Sequence, residues 1–236
     1  MAAPAGSPDT GPVTVQPGTA MSGRPATRGW RDVLRDPPEA YSVLRALLHA
    51  RFAFRECLTV GARPRLYGGC LVSGGERIQV GERLLVFGTT VRCELSTHAE
   101  GRLLLGDRVF LNYGSSISAH SLVRVGDDCK IGQYSTVMDC DWHELETPTH
   151  DGGHGQPRPV VLEAGVWLGV RVTVLKGVTI GRGSVIGAGS VVASDIPEGV
   201  VAAGVPARVL RALPFKATRP GGEPLLEESA PLIGRP

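Results

Sequence analysis

The side chains best suited to chemistry concentrate in one segment, residues 138–161, MDCDWHELETPTHDGGHGQPRPVV. It holds three of the six histidines in the chain, His143, His150 and His154. An imidazole is a natural general base because its ordinary pKa lies near neutral pH. Long segments without a structural pattern are uncommon inside compact domains and are often functional. We therefore take this segment as the first candidate for a catalytic site, with its histidines as candidate general bases.

The same segment allows a metal-binding interpretation. Three histidines can hold a zinc ion and leave a position open for water, and Cys140 lies close by in the sequence. These residues sit on a glycine-rich excursion rather than on stacked strands, however. We expect no metal site and keep a zinc enzyme only as an alternative.

A six-residue period flanks this segment. Aliphatic residues recur at Leu162, Leu168, Val174, Ile180, Ile186 and Val192. A helix has a period of 3.6 residues and a strand a period of two, so neither fits. A coil of three short strands per turn fits, because each turn then stacks its inward aliphatic residues on the turn below.

The same period precedes the segment. The predicted inward residues there are Leu105, Leu111, Ile117, Val125, Ile131 and Val137. Between Val60 and Leu104 the pattern is irregular, and Val91 and Leu95 are out of step. We interpret this part as early, irregular turns of one coil that spans residues 58–200, from which 138–161 is an excursion.

The two flanks differ from the coil. Residues 1–28 carry few large apolar side chains, which predicts a disordered tail. Residues 29–57 predict a helical cap for the open end of the coil, with an apolar stripe at Tyr41, Leu44, Leu48 and Phe52. A second interpretation is a basic amphipathic helix, residues 38–57, resting on an anionic membrane. In the segment 201–236 we expect a short helix over ARVLRAL, then a loose tail.

Bulk composition excludes some classes of function. The net charge of +2 is too small to indicate nucleic-acid binding. The five cysteines include no CxxC pair, so neither a zinc ribbon nor a disulfide framework is indicated. The first twenty residues lack the charged and apolar regions of a secretory signal. We expect a cytoplasmic protein with reduced thiols.

The stretch VWLGVRVTVLKGVTIGRGSVIGAGSVVASDIPEGVVAAGVPARVL, residues 166–210, resembles the C-terminal signature of the hexapeptide-repeat acyltransferases. The most similar subgroup contains the maltose and galactoside acetyltransferases and the polysaccharide O-acetyltransferases. The resemblance implies an all-β fold, a left-handed parallel β-helix. It also implies acetyl-CoA as co-substrate, a sugar hydroxyl as acceptor and a homotrimer with active sites between subunits.

By this resemblance His143 is the catalytic base, and its spacing to Trp167 matches the family. Asn112 and Trp167 become candidates for contact with the acceptor. Asp141 is a third candidate for contact with the acceptor. Asp139, Asp141 and Glu144 are acids near His143 in the sequence, and any of them could orient its ring. By the same resemblance, His120 stands at the position of an acceptor-binding aspartate in the family.

The resemblance also predicts a coenzyme A groove. Gly169 and Val170 would offer backbone N–H groups near the thioester. The pantetheine arm would run along Ala188, Ala193 and Ser194, and the nucleotide phosphates would meet Arg208 and Arg211. Two positions depart from relatives, which often have serine at position 170 and lysine at position 194.

Other functions remain open at this point. An N-acetyltransferase for an amino sugar or a sugar nucleotide would use the same fold and the same base. A β-helix that only scaffolds an assembly would need neither. Binding of coenzyme A separates the scaffold from both enzymes.

Overall fold

The computed structural model describes residues 37–143 and 155–214. The predicted tail at 1–28, and the segments 144–154 and 215–236, lie outside the described residues. The chain divides into two units, Met1–Ala40 and Tyr41–Pro236. All the packing discussed below lies within the second unit.

One helix and eighteen short strands make up the described part of the chain. Helix α1 spans Pro37–Ala53, and a 3-10 turn spans Gly75–Arg77. The strands are β1 (Thr59–Val60), β2 (Arg65–Ser73), β3 (Ile78–Val80), β4 (Leu85–Thr97), β5 (Arg102–Leu105), β6 (Phe110–Leu111), β7 (Ser116–Ala119), β8 (Leu122–Val125), β9 (Lys130–Ile131), β10 (Thr136–Met138), β11 (Val160–Leu162), β12 (Trp167–Leu168), β13 (Thr173–Val174), β14 (Thr179–Ile180), β15 (Val185–Ile186), β16 (Val191–Val192), β17 (Val200–Gly204) and β18 (Ala207–Ala212).

The strands stack in parallel on three faces, which confirms the predicted parallel β-helix. Face 1 is the six-stranded sheet β1-β3-β5-β8-β11-β14. Face 2 contains the first half of β4, then β6, β9, β12, β15 and β17. Face 3 contains the second half of β4, then β7, β10, β13 and β16. The chain visits the faces in this order on every turn, and β4 continues around the corner that joins faces 2 and 3.

The predicted inward residues form the core. All twelve aliphatic positions of the six-residue period are buried, with at most 4% of any side chain exposed. Burying a side chain of this size contributes roughly 1.5–3 kcal/mol. The stacked aliphatic columns therefore hold the three faces together.

Serines at the corners join successive turns. Ser184 Oγ donates to the carbonyl of Pro197 at 2.7 Å and accepts the N–H of Val200 at 3.1 Å. Ser135 Oγ links the carbonyl of Gly169 and the N–H of Val172 in the same way. A buried hydroxyl with both bonds made carries little desolvation cost, so small polar residues suit these corners.

The first turns are irregular, as predicted. The pairing of β2 with β4 shifts register between Gly68 and Cys70. Val91 is exposed, whereas Leu95 is fully buried. The extra residues of β4 bulge outward at the corner, and Leu95 then returns to the inward column.

Helix α1 packs through a different stripe from the predicted one. Tyr41, Leu44, Leu48 and Phe52 are exposed, and the buried residues are Val43, Ala46, Ala50 and Phe54. Both sets have helical spacing. Of the buried set, Ala50 and Phe54, which follows the last helical residue, belong to the core of the coil. The prediction of a helix was right, but the choice of its packing face was wrong.

The C-terminal segment contains a strand rather than the predicted short helix. β18 pairs antiparallel with β17 after a turn at Gly204, whose φ is 108°. Ala207 enters the core at the start of β18. Pairing with an existing sheet edge outweighs the weak helical propensity of ARVLRAL.

None of the helices among residues 37–143 and 155–214 is long and apolar enough to cross a membrane.

Candidate active site

A groove of about 560 Å³ runs over the outside of face 2 to its corner with face 3. Five of the predicted site residues line it: Asn112, Trp167, Gly169, Val170 and Ala188. Lys130 and Gln133 add the polar part of the wall. The structure therefore brings the predicted thioester end of the site together in one place.

Strand register extends this groove toward two arginines. On the outside of face 2, Trp167 pairs with Val185, Val185 with Val201, and Val201 with Arg211. Directly paired residues point to the same side of a sheet. Neighbouring strands lie about 4.8 Å apart, and three such steps separate the two residues. Arg211 therefore lies about 14 Å from Trp167 across the sheet. Arg208 pairs with Ala203, which lies over Gly187 beside the same groove.

Trp167 points outward, as predicted. Its neighbours Val166 and Leu168 are fully buried, while 52% of Trp167 is exposed. Lys130 and Val185 flank it on the adjacent strands. An exposed indole in a groove gives a flat apolar surface for a ligand.

The backbone N–H of Gly169 already forms a hydrogen bond within the coil. Its N–H donates to the carbonyl of Ile186 at 2.8 Å. A Cβ at this position would lie 2.8 Å from the backbone nitrogen of Ala188, so only glycine allows this spacing of the turns. Of the two predicted N–H donors, Val170 at the exposed corner is thus the remaining candidate.

Asn112 lines the groove and also shapes its own corner. Its side-chain oxygen accepts the N–H of Tyr113 at 2.9 Å, and its carbonyl accepts the hydroxyl of Ser115 at 2.7 Å. The residue is half-buried. A local structural role is therefore visible, and a contact with the acceptor remains a prediction.

His143 lies at a different corner from the groove. It follows β10 at the corner where face 3 meets face 1, is exposed and does not line the groove. Ala193 and Ser194 lie at the same corner, just after β16. Face 3 thus separates His143, Ala193 and Ser194 from the groove residues within one chain.

A cluster of three rings supports the segment that carries His143. The rings of His98 and His120 stack with their centroids 4.7 Å apart. Trp142 meets both edge to face, at 4.8 and 4.6 Å. Sequence reasoning did not identify His98. Thr97 pairs with Ala119, so the next residues, the two histidines, lie one above the other. An alignment of these two turns in the sequence would have identified His98.

Asp139 anchors the start of the excursion. Its buried carboxylate accepts the N–H groups of His120, Ser121 and Leu122 at 2.7, 2.7 and 2.8 Å. Its carbonyl accepts the N–H of Arg158 at 2.8 Å, which ties the return of the segment to its start. These bonds commit Asp139 to the backbone.

Asp141 forms an ion pair with Lys176, which also donates to the carbonyl of Gln156 at 3.1 Å. Both described acids that could orient His143 therefore have other partners. The third, Glu144, lies outside the described residues. Trp142 directly follows Asp141 and has a φ of 66°, a region that costs non-glycine residues free energy. The ring cluster and the two anchored acids hold it there.

The cysteines are unlike nucleophiles. Cys93, Cys129 and Cys140 are buried, and none of the five cysteines, all of which lie in the described residues, forms a disulfide. Burial raises the pKa of Cys129 to about 11 and that of Cys57 to about 11. The described residues contain no group of three potential metal ligands. His150 and His154 of the zinc alternative fall outside the described part of the chain.

Residues 159–194 match the family described as bacterial transferase hexapeptide (six repeats). The probable acetyltransferase Rv3034c of Mycobacterium tuberculosis is 30% identical over 86% of this chain and 75% of its own length. The putative lipopolysaccharide biosynthesis O-acetyl transferase WbbJ of Escherichia coli is 30% identical over 72% of this chain and 86% of its own length. Galactoside O-acetyltransferase of Escherichia coli is 38% identical over 45% of this chain and 52% of its own.

Solved structures share the fold. AntD, an N-acyltransferase from Bacillus cereus in complex with an amino-sugar nucleotide and coenzyme A, is 19% identical with a TM-score of 0.61, over 71% of this chain and 90% of AntD. A hexapeptide-repeat acetyltransferase from Vibrio cholerae, complexed with acetyl coenzyme A, is 24% identical with a TM-score of 0.53. The match covers 75% of this chain and 85% of the Vibrio cholerae chain. Together with the sequence relatives, the stacked six-residue turns show that this chain belongs to the bacterial hexapeptide-repeat transferases.

Proposed function

We propose that this protein transfers an acetyl group from acetyl-CoA to a hydroxyl of a sugar or glycosylated acceptor. The observation that carries the proposal is the groove on face 2, because its register leads from Trp167 to Arg208 and Arg211. An apolar channel that ends in two arginines suits a ligand with an uncharged arm and a phosphorylated end.

Coenzyme A fits this description. Its thioester would lie near Trp167 and Val170, and its arm would follow Gly187 and Ala188. Its phosphates would reach the arginines of β18. The exposed guanidinium groups of Arg208 and Arg211 bond only to nearby carbonyls of their own strand, at 2.9 and 3.3 Å, so neither is held in an ion pair with a carboxylate in the described part of the chain.

The complete site would need a second copy of the chain. Within one chain His143 does not line the groove. In a homotrimer, the corner that carries His143, Ala193 and Ser194 would face the groove of the neighbouring subunit. This arrangement follows the family resemblance and explains why the predicted residues divide between two edges of face 3.

The reaction would be a direct transfer. The imidazole of His143 removes the proton from the acceptor hydroxyl, and the oxygen attacks the thioester carbonyl. The N–H of Val170 would stabilise the resulting oxyanion. The carbon–sulfur bond then breaks, the thiolate takes the proton from the imidazolium, and the products are the acetyl ester and coenzyme A.

The relatives favour oxygen as the acceptor atom. Galactoside O-acetyltransferase and WbbJ are both named as O-acetyltransferases. An N-acetyltransferase for an amino sugar is the second candidate, since AntD has the same fold. Acceptor screens with matched hydroxyl and amino sugars distinguish the two functions.

Calorimetric titration with acetyl-CoA tests the proposal. We expect micromolar binding in the wild type. Replacing Arg208 and Arg211 together with alanine removes two phosphate contacts, each worth about 1.5–3 kcal/mol when charge-assisted, and should weaken binding at least a hundredfold.

Arg102→Ala is the matched control, because Arg102 is an exposed arginine on face 1, away from the groove. It should bind like the wild type. A folded wild-type protein that binds no acetyl-CoA would contradict the proposal and favour the scaffold. Equal loss in both arginine variants would contradict our position for the phosphates.

A further inference from the structure

Helix α1 carries two apolar stripes, one buried and one exposed. Val43, Ala46, Ala50 and Phe54 are buried, and Ala50 and Phe54 belong to the core of the coil. Tyr41, Leu44, Leu48 and Phe52 form the second stripe, where between 55% and 68% of each side chain is exposed. Scattered exposed apolar residues are ordinary, but four large ones in a row indicate a surface that meets something apolar.

Positive charges border this exposed stripe. On a helix with 3.6 residues per turn, Arg45 lies on one side of the stripe and Arg51 on the other. Just after the helix, the guanidinium of Arg55 lies 4.3 Å from the ring centre of Phe52. Residues 38–65 contain five arginines against two glutamates. One of these, Glu56, is paired with Arg55 at 2.9 Å.

The geometry suits a flat contact. The stripe from Tyr41 to Phe52 spans eleven residue-to-residue steps, or about 16 Å of helix at 1.5 Å per residue. Arginines on both borders can extend toward phosphate groups while the apolar side chains enter the acyl boundary. A tyrosine at one end suits the level of the headgroups.

From these observations we infer that the exposed stripe of α1 binds the surface of an anionic membrane. The charges disfavour the other occupants. A second copy with the same stripe would bring its own arginines against Arg45 and Arg51, and like charges oppose such a contact. Residues 1–36 contain four arginines and three aspartates, so they offer no acidic complement.

Vesicle flotation with the full-length protein tests this inference. We expect binding to vesicles of phosphatidylcholine with phosphatidylglycerol, weakened by salt, and little binding to phosphatidylcholine alone. The double variant Leu48→Glu with Phe52→Glu should bind at least tenfold more weakly. Arg45→Gln and Arg51→Gln should each cost roughly fivefold, because one cation near an anionic surface contributes about 1 kcal/mol.

Leu71→Glu is the matched control, because Leu71 is an exposed leucine on β2 rather than on the helix. It should float like the wild type. Absence of wild-type binding, or equal binding to both vesicle types, would overturn the inference. So would a double variant that still floats but has a changed molecular mass in sedimentation, because the stripe would then join copies of the chain. The test does not involve acetyl transfer, so its result is independent of the proposed function.

Discussion

At the scale of single residues, the proposed chemistry depends on one imidazole. His143 is exposed and follows a start segment held by Asp139, Asp141 and Trp142. The proposed base thus follows an anchored stretch of backbone, and its side chain is exposed. A general base needs this combination, because it must reach a proton and return it.

Replacing His143 with alanine should lower the rate of acetyl transfer by about a hundredfold or more, the usual contribution of a general base. The affinity for acetyl-CoA should stay unchanged, because His143 would act on the acceptor hydroxyl and the contacts with coenzyme A are assigned to other residues. Steady-state kinetics and calorimetry on the same preparation measure both. His143→Gln keeps the size and polarity of the side chain, so an active glutamine variant would contradict a role in proton transfer.

Some site residues could be predicted from the sequence and others could not. The outward direction of Trp167 follows from the period, because its neighbours must point inward. The hydrogen bond of the Gly169 N–H and the ring cluster of His98 both depend on which residues of successive turns lie next to each other. Adjacency across the irregular early turns is set by a bulge in β4, which the six-residue period does not reveal.

At the scale of elements, the ring contacts of Trp142 fix the backbone at the start of the excursion, directly before His143. Trp142 meets both histidine rings in a left-handed backbone conformation. Without the indole, the strained conformation would lose its support and the backbone before His143 would relax.

We therefore expect Trp142→Ala to lower kcat for acetyl transfer about tenfold or more, as misplacement of a catalytic group does. The KM for acetyl-CoA should change little, since the contacts with coenzyme A are assigned to other residues. Trp142→Phe keeps a ring against His98 and His120 and should recover most of the rate. If alanine and phenylalanine variants behave alike, the ring contacts do not position His143.

The predictions of elements succeeded where local pattern decides the structure. Six-residue periodicity identified every turn from Leu105 to Val192. It failed where two solutions fit the same local pattern. Helix α1 has two apolar stripes, and the buried one is the one that contains the small residues Ala46 and Ala50. ARVLRAL became β18 because an open sheet edge was available for pairing.

At the scale of the whole molecule, the proposed site divides between two copies of the chain. The groove belongs to face 2, and His143 lies beyond face 3. A variant without the base and a variant with a blocked groove would therefore be inactive for different reasons. In a mixed trimer, one of the three sites would combine an intact groove with an intact base.

We expect His143→Ala and Ala188→Trp to be inactive alone and to regain part of the activity when coexpressed. Ala188 is exposed in the groove, so tryptophan should fill it without disturbing the core. Acetyltransferase activity of the purified mixed oligomer measures the effect. Acetyl-CoA binding by the His143→Ala protein serves as the control for an intact groove. Inactive mixtures of proven mixed composition would show that the base and the groove belong to the same chain.

The hairpin of β17 and β18 has a consequence for how this molecule behaves at high concentration. A parallel coil with a bare last turn would offer its edge as a template on which another coil could continue, giving open-ended filaments. Here the chain reverses direction after β17, and the outer strand is antiparallel and carries Arg208 and Arg211. An incoming coil would meet the wrong strand direction and two exposed arginines, so the same arginines that we assign to phosphates also discourage polymerisation.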